Sequence, residues 1–461
     1  MTSTPSSTRL RDPLVIQGGT AVATSSWRPA SGIARAGQLG VVSGTAVDLT
    51  LARRLQDGDP DGSVRRALAA FPAPQVAARV LDRYFRDAGR GPDEPYDPIP
   101  RLALRQKPEA QELLVLGAFV EVWLAKDGAV GPVGIDILAS IRMASPTTLY
   151  GAMLAGADHV LVTGEVPRRF PVLIDRLVRH RAVSLPVPVE GDPEAGHSIT
   201  LDPAALLGVD LAPLPRPRLL AVLSPAEVPE VLDMDPDDRP DGLVLEGETD
   251  EGIRLALAEA DLPYWLAGTA GTPEALAAAR ASGAAGIRVE SLASLSSDSD
   301  LVPELRARLL GLLRAGDLEV RADHRVSPTG TPFTVAQVPG TLSEPELAAA
   351  RPRLCDLGYL RTPFLNERGS VGYRCSAEPE HVAERKGVAA AEISGRGCLC
   401  NSLVAAIGLA QVRADGYVEQ PLVTLGLDLD GAHRLVEVYP DGWTAAQAVA
   451  WLVAGIDHPI G

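Results

Sequence analysis

The chain of 461 residues is poor in aromatics, at 4%, and holds only four cysteines and seven histidines. With few rings to fill space, alanine, leucine and valine must build the core, and a hydrophobic content of 46% suffices for a large one. Basic residues are also scarce, 43 against 59 acidic ones, for a net charge of −16. Such a surface repels nucleic-acid backbones and anionic membranes, so neither is an expected partner. The same charge also serves simple solubility. Long apolar runs are missing too. The longest, LLVLGAFVEVWLA (113–125), stops at 13 residues and contains Glu121, whereas a membrane span needs ~20. The opening MTSTPSSTRLRDP lacks the apolar stretch of a secretion signal. The cytoplasm is therefore the expected location.

The cysteines, Cys355, Cys375, Cys398 and Cys400, all fall in the last quarter of the chain. That clustering points to a local role rather than a disulfide framework. Four thiolates could close a tetrahedral zinc site or hold an iron–sulfur cluster. The usual paired C-x2-C knuckles are missing, and four reduced thiols packing a small module would leave the same pattern. Arg374, Lys386 and Arg396 are close enough in sequence to lower a thiol pKa.

Eight short apolar segments are present: LVIQGG (14–19), LGVVSG (39–44), GPVGIDIL (131–138), DHVLVTG (158–164), RLLAVLS (218–224), DGLVLEG (241–247), LPYWLAG (262–268) and GAAGIRVE (283–290). Several are near-continuous runs of Val, Ile and Leu, the pattern of parallel strands covered on both faces. Five end in glycine, as a chain turning tightly toward a ligand needs. Helical spacing fills the intervals, as in SSWRPASGIARAG (25–37), TLYGAMLAGA (148–157) and TPEALAAARASG (272–283). In the last, Thr272 reads as the cap, Pro273 as the first helical residue and Gly283 as the stop. Eight strands alternating with helices predict an α/β fold, a (β/α)8 TIM barrel over residues 10–318. RAVSLPVPVE (181–190), with two prolines, reads as an excursion from it. His159 and Trp265 read as packed strand residues. Residues 45–130 form a long insertion between strands two and three, with an amphipathic helix near 111–126. A further helix covers 304–316. Residues 319–461 form a cysteine-containing C-terminal module ending in a helix over 444–456.

The stretches PLVIQGGTAVATSSWRPASGIARAGQLGVVSGTAVD (13–48), FVEVWLAKDGAVGPVGIDIL (119–138), ARPRLCDLGYLRTPF (350–364), GSVGYRCSAEP (369–379) and GRGCLCNSLVAAIGLAQV (395–412) resemble a known family. It is the FMN-dependent nitronate monooxygenases, formerly 2-nitropropane dioxygenases. Its long members include trans-acting enoyl reductases of polyketide and polyunsaturated-fatty-acid synthases. The resemblance covers nearly the whole chain and implies FMN at the C-terminal ends of the barrel strands. A flavin phosphate needs backbone N–H donors, glycines and a helix N-terminus, which a barrel offers after strands seven and eight. The positions carried over are Gly268, Thr269, Gly271 and Thr272 after strand seven and Ser291 after strand eight. The flavin ring would lie on Gln17, Gly18, Gly19 and Thr20 and reach toward Asp136. Ordinary βα turns would use the same glycines. Lys126 and Arg142 could balance charge on the ring, or be solvated.

Three departures from the family pattern meet at this place. The family has Gly-Thr where this chain has Glu290-Ser291, and a carboxylate beside a phosphate would cost several kcal/mol at an effective dielectric of about 20. The first loop reads Gly-Gly-Thr-Ala-Val-Ala (18–23) in place of Gly-Gly-Met-Gly-Val-Gly. After strand six the family carries a glycine-rich loop with a proton-handling histidine, but here the strand runs straight into ETDEGIRLALAEA (248–260), and no histidine occurs between His197 and His324. Glu246 and Glu248, with Asp250, stand in its place as weak candidates for a base. Three readings stay open. One is a barrel that has lost or altered its FMN chemistry and acts as a partner of another protein, such as a paralogue, or as a ligand binder. Another is an active FMN-dependent oxidoreductase on a small or carrier-bound enoyl, acyl or nitronate substrate. The third is a metalloprotein working through its cysteines.

Overall fold

The computed structural model describes residues 12–19, 22–323, 333–375, 377–393 and 396–454. Each of the eight apolar segments forms one strand: β1 (Val15–Gln17), β2 (Gly40–Ser43), β3 (Val133–Leu138), β4 (His159–Thr163), β5 (Arg218–Leu223), β6 (Gly242–Glu246), β7 (Tyr264–Ala267) and β8 (Gly286–Val289). All pair in parallel, in the order β1-β8-β7-β6-β5-β4-β3-β2. A parallel bridge between Ile16 and Leu39 joins the two ends of the sheet. It is flanked by bonds from Gln17 N to Leu39 O at 3.0 Å and from Leu39 N to Val15 O at 3.1 Å. The cylinder is thereby closed into a (β/α)8 barrel.

Alternation along each strand divides the apolar residues between two cores. Ile16, Val41, Leu161, Leu220, Val244 and Trp265 pack together inside the cylinder, while Val15, Leu243, Leu245 and Ile287 face the surrounding helices. Trp265 is fully buried and its indole N–H donates to Pro13 O at 2.7 Å. His159 is buried at the start of β4, with neither ring nitrogen hydrogen-bonded. Both are packed strand residues, as their sequence context suggests.

The helices used below are α1 (Trp27–Arg35), α2 (Pro108–Lys126), α3 (Ser145–Leu154), α4 (Pro273–Ala281), α5 (Ser291–Ser294), α6 (Pro303–Ala315), α7 (Leu429–Val438) and α8 (Ala445–Val453). Thr272 caps α4, accepting from Ala275 N at 3.2 Å. The insertion after β2 folds into helices, of which α2 is the longest. It lies so close to its neighbours that a Cβ on Gly117 would stand 2.4 Å from Val47 O, and one on Gly151 of α3 would stand 2.2 Å from Val115 O. Glu121, the single acid within its apolar run, accepts from Trp27 N at 2.9 Å and pairs with Arg54. Among the described residues no helix is long and apolar enough to cross a membrane.

The proline-bearing segment leaves the barrel, as its sequence suggests. Val183–Pro186 pairs antiparallel with Ser198–Leu201 in a separate hairpin. The C-terminal module contains two more antiparallel ribbons, Val320–Asp323 with Phe333–Ala336 and Thr362–Leu365 with Val371–Arg374. Its apolar core is continuous with the barrel's outer core: Leu305 and Leu309 of α6 share one cluster with Ala336, Val423, Leu425 and Trp443. This continuity brings the residues just before α7 against the barrel mouth.

Candidate functional site at the barrel mouth

Strand β8 carries a buried arginine, Arg288, between the apolar Ile287 and Val289. Arg288 sits opposite Ile16 of β1 in the ladder, and its side chain is only 4% exposed. A guanidinium placed there must find anions, because an unpaired buried charge costs several kcal/mol. Three carboxylates supply them. Glu246, at the end of β6, accepts from Nη1 at 2.9 Å. Glu290, just past β8, lies 3.0 Å from Nη2, and Asp136 of β3 lies 3.5 Å from the same nitrogen. Asp136 also accepts from Thr163 Oγ1 at 2.7 Å. Burial pushes the carboxyls of Asp136 and Glu290 above the usual range, and Arg288 opposes that shift in both. Asp428 and Glu246 add like-charge repulsion on Glu290.

The loops around this cluster are closed onto it. A Cβ on Gly18 would come within 2.3 Å of Glu290 Cγ, and one on Gly19 within 2.3 Å of Asp136 Cβ. Gln17 is fully buried and accepts from Val41 N at 3.2 Å, binding β1 to β2. Thr20 lies outside the described residues. On the far side, the segment leading into α7 enters the cradle between the loops after β7 and β8. The Asp428 carboxylate, 3% exposed as a residue, accepts from Glu290 N at 2.9 Å and from Ser291 N at 2.9 and 3.1 Å. Ser291 Oγ donates to Gly426 O at 3.0 Å. Gly271, at φ +64°, has Asp428 Cβ at 2.9 Å from where its own Cβ would stand. Gly431 N donates to Ala270 O at 2.8 Å.

Most of the positions carried over from the sequence therefore do converge: Gln17, Gly18, Gly19, Asp136, Gly271 and Ser291 surround one mouth. Two backbone donors of this cradle, Glu290 N and Ser291 N, however, already hold the Asp428 carboxylate. The Gly18 and Gly19 backbone lies directly against the Glu290 and Asp136 side chains. The residues present do not fit FMN. Gln17 Oε1, Gly18, Gly19, Asp136, Gly271 and Ser291 each meet a partner within the chain. Gly268, Thr269 and Thr272 keep their places in the β7 loop. Thr269 Oγ1 accepts from Gly271 N at 3.5 Å, and Thr272 serves as the helix cap.

The weak base candidates separate. Glu246 is held by Arg288, Glu248 is exposed, and Asp250 caps the next helix, accepting from Ile253 N at 2.8 Å. β6 ends at Glu246 and that helix begins at Glu251, so no long loop intervenes. Lys126 pairs with Asp158 at 2.7 Å, at the opposite end of the strands, and Arg142 pairs with Glu165. Arg288 and Asp428 went unnoticed in the sequence. The signal for the first was a lone arginine within an apolar strand. The second lies 138 residues from its partner, and nothing local marks it.

The four cysteines stand as free thiols. Among the described residues no group of three or more His, Cys, Asp or Glu side chains is placed to hold a metal ion. Burial pushes the Cys375 thiol up to about 12, and Cys398 and Cys400 also move upward for the same reason. The nearby cations do not reverse this. Lys386 is bonded to Glu378 at 2.6 and 2.8 Å, and Arg374 pairs with Glu190. Cys355 Sγ accepts from Gly358 N at 3.2 Å.

Fold and mouth together define a TIM barrel whose anion cradle is filled by its own chain. No family model matches the chain, and no curated protein matches it. Among solved structures it is similar to FabK from Thermotoga maritima, at 13% identity over 96% of this chain and 92% of that one, with a TM-score of 0.45. It is also similar to a nitroalkane oxidase from Streptomyces ansochromogenes, at 12% identity over 96% and 98% with a TM-score of 0.41. A third is the enoyl reductase domain of MlnA from Bacillus amyloliquefaciens, at 11% identity over 74% and 84% with a TM-score of 0.39.

Proposed function

We propose that this protein is a nitronate monooxygenase-like barrel that has lost FMN chemistry and works by binding a ligand or a partner. The observation that carries this reading is Asp428 on the N–H groups of Glu290 and Ser291. A phosphate arriving there would meet a carboxylate in a partly desolvated cradle, and the two anions repel. The ion-pair cluster of Arg288 supports the same reading, since it fills the space above the first loop.

The experiment is purification from a flavin-replete host, followed by titration with FMN. The expected protein is colourless and binds added FMN with a Kd no tighter than about 1 mM, roughly 4 kcal/mol of affinity. A yellow protein carrying one FMN per chain would defeat the proposal and restore the active oxidoreductase reading. Glu290→Gly alone leaves Arg288 and Asp428 in place, so that variant is expected to remain colourless too.

A further inference from the structure

One buried acid of the insertion has no cation to balance it. Asp48 follows β2 in the first turn of the helix Val47–Gln56 and is 2% exposed. Asp59, Glu112 and Glu121, the other buried acids of the insertion, pair with Arg65, Arg79 and Arg54. Asp48 forms no ion pair among the described residues. Its Oδ1 instead accepts from Leu49 N at 2.8 Å and from the Tyr359 hydroxyl at 2.7 Å. A carboxyl removed from water without a counter-charge favours its neutral form. Accordingly, burial pushes the Asp48 carboxyl up to about 6, although the bonds from Tyr359 and the backbone act the other way.

Tyr359 arrives from 311 residues away, in the C-terminal module. Gly358, at φ +67°, supplies the left-handed turn just before it. Leu357 and Tyr359 then join Val47, Leu49 and Tyr84 in one apolar cluster. The contact therefore lies where the module packs on the barrel's insertion. Burial raises the Tyr359 phenol well above its ordinary value, so its hydroxyl stays a donor. The other titratable groups near this pair are Tyr84, within electrostatic reach of Asp48, and Cys400, within reach of Tyr359. On the same helix Arg53 donates to Leu409 O and Arg54 is paired with Glu121. Helix α2, whose Gly117 lies against the Asp48 backbone, carries Glu109, the paired Glu112 and Glu121, and Lys126, which is bonded to Asp158.

We propose that the Asp48–Tyr359 contact is a pH-sensitive fastener between the barrel and the C-terminal module, closed while the carboxyl is protonated and loosened when it ionises. A carboxyl raised by folding stabilises the closed state fully at low pH, and that contribution is lost as pH rises through about 6. Neither residue belongs to the mouth cluster, so the inference stands whether or not the mouth takes a flavin.

Hydrogen–deuterium exchange of the full chain at pH 5 and pH 8 tests it, with each rate divided by the intrinsic rate at that pH. Peptides across residues 354–364 are expected to be at least about tenfold less protected at pH 8, and those of strands β4 and β5 to change less. Asp48→Asn, which cannot ionise, is expected to give equal protection at both pH values. Equal protection of the parent at both, a loss of the same size in the barrel strands, or a pH dependence that survives in Asp48→Asn would overturn the proposal. Should Asp48→Asn fail to fold, carbon-13 titration of the aspartate side chains decides. One carboxyl should titrate near 6 in the parent and higher in Tyr359→Phe, which lacks the bond that favours the ionised form. If no aspartate behaves in this way, the fastener does not exist.

Discussion

At the barrel mouth one arginine faces three carboxylates, whereas in the C-terminal module four arginines border a cavity that, among the described residues, no carboxylate lines. The same side chain has different surroundings in the two places. Arg288 is pinned within 3.5 Å of Asp136, Glu246 and Glu290, and its charge is spent inside the fold. Of the four arginines bordering the cavity, Arg321 and Arg351 have the carboxylate partners Glu319 and Glu419, and Arg396 also has a partner. The difference teaches that cationic residues in a pocket indicate a ligand only when the chain does not already satisfy them. By that criterion Arg288 at the mouth marks no ligand, because the fold already uses its charge.

The contrast breaks most visibly if Arg288 is removed. Arg288→Met leaves Asp136, Glu246 and Glu290 facing one another, and breaking a buried ion-pair network in this way costs about 3–5 kcal/mol. The loss depends on pH. Burial already holds Asp136 and Glu290 above the ordinary carboxylate range, and removing the cation raises both further. A carboxyl raised in the folded state contributes stability that is complete below its unfolded pKa and is lost as pH rises through the folded value. Urea unfolding at pH 5 and pH 8 should therefore show the larger loss at pH 8. An equal loss at both would mean that packing, not charge, holds the mouth together.

A smaller change sharpens the other half of the mouth. Asp428→Ala deprives Glu290 N and Ser291 N of their acceptor in a buried setting, at a cost of about 1–3 kcal/mol. Asp428→Asn keeps one acceptor oxygen and should cost less. Both variants remove a like charge beside Glu290, so its carboxyl should titrate at lower pH than in the parent, observable by carbon-13 NMR of the glutamate side chains. If the two variants melt at the parent's temperature, Asp428 is not what closes the cradle.

Much of the frame could be read from the sequence because its determinants are local. Short apolar segments rich in Val, Ile and Leu, five of them ending in glycine, mark the eight strands, and the two prolines of residues 181–190 mark the hairpin that leaves the barrel. Thr272 and Pro273 fix the start of α4 from adjacent residues. The mouth was only half legible. Glu290 could be seen as an anion in an anion's place, but its neutralisation by Arg288 needs the inward pointing of alternate residues on a closed barrel. Asp428 belongs to a segment that reaches the mouth only through the shared core of α6, α7 and α8. The thiols failed for a related reason. Sequence proximity to Lys386 and Arg374 suggested lowered pKa values, whereas those cations are bonded to Glu378 and Glu190 and burial dominates.

The smallest effect is expected at Glu246, and it separates number of contacts from depth of burial. Its bond to Arg288 is 2.9 Å long, shorter than that of Glu290 or Asp136, yet its side chain is 50% exposed against 24% and 6% for those two. Half-exposed carboxylates are screened by water, so the pair contributes less than about 1 kcal/mol despite its geometry. Glu246→Gln keeps an oxygen for Arg288 Nη1 and leaves the two buried partners in place. Its stability should stay within about 0.5 kcal/mol of the parent at pH 8, a value typical of surface substitutions. Because three acids crowd one guanidinium, removing the most solvated of them also relieves repulsion on Glu290, which offsets part of the lost attraction. A loss as large as that of Arg288→Met would show that Glu246, rather than the buried pair, anchors the arginine, and that the mouth is held from its rim instead of its floor.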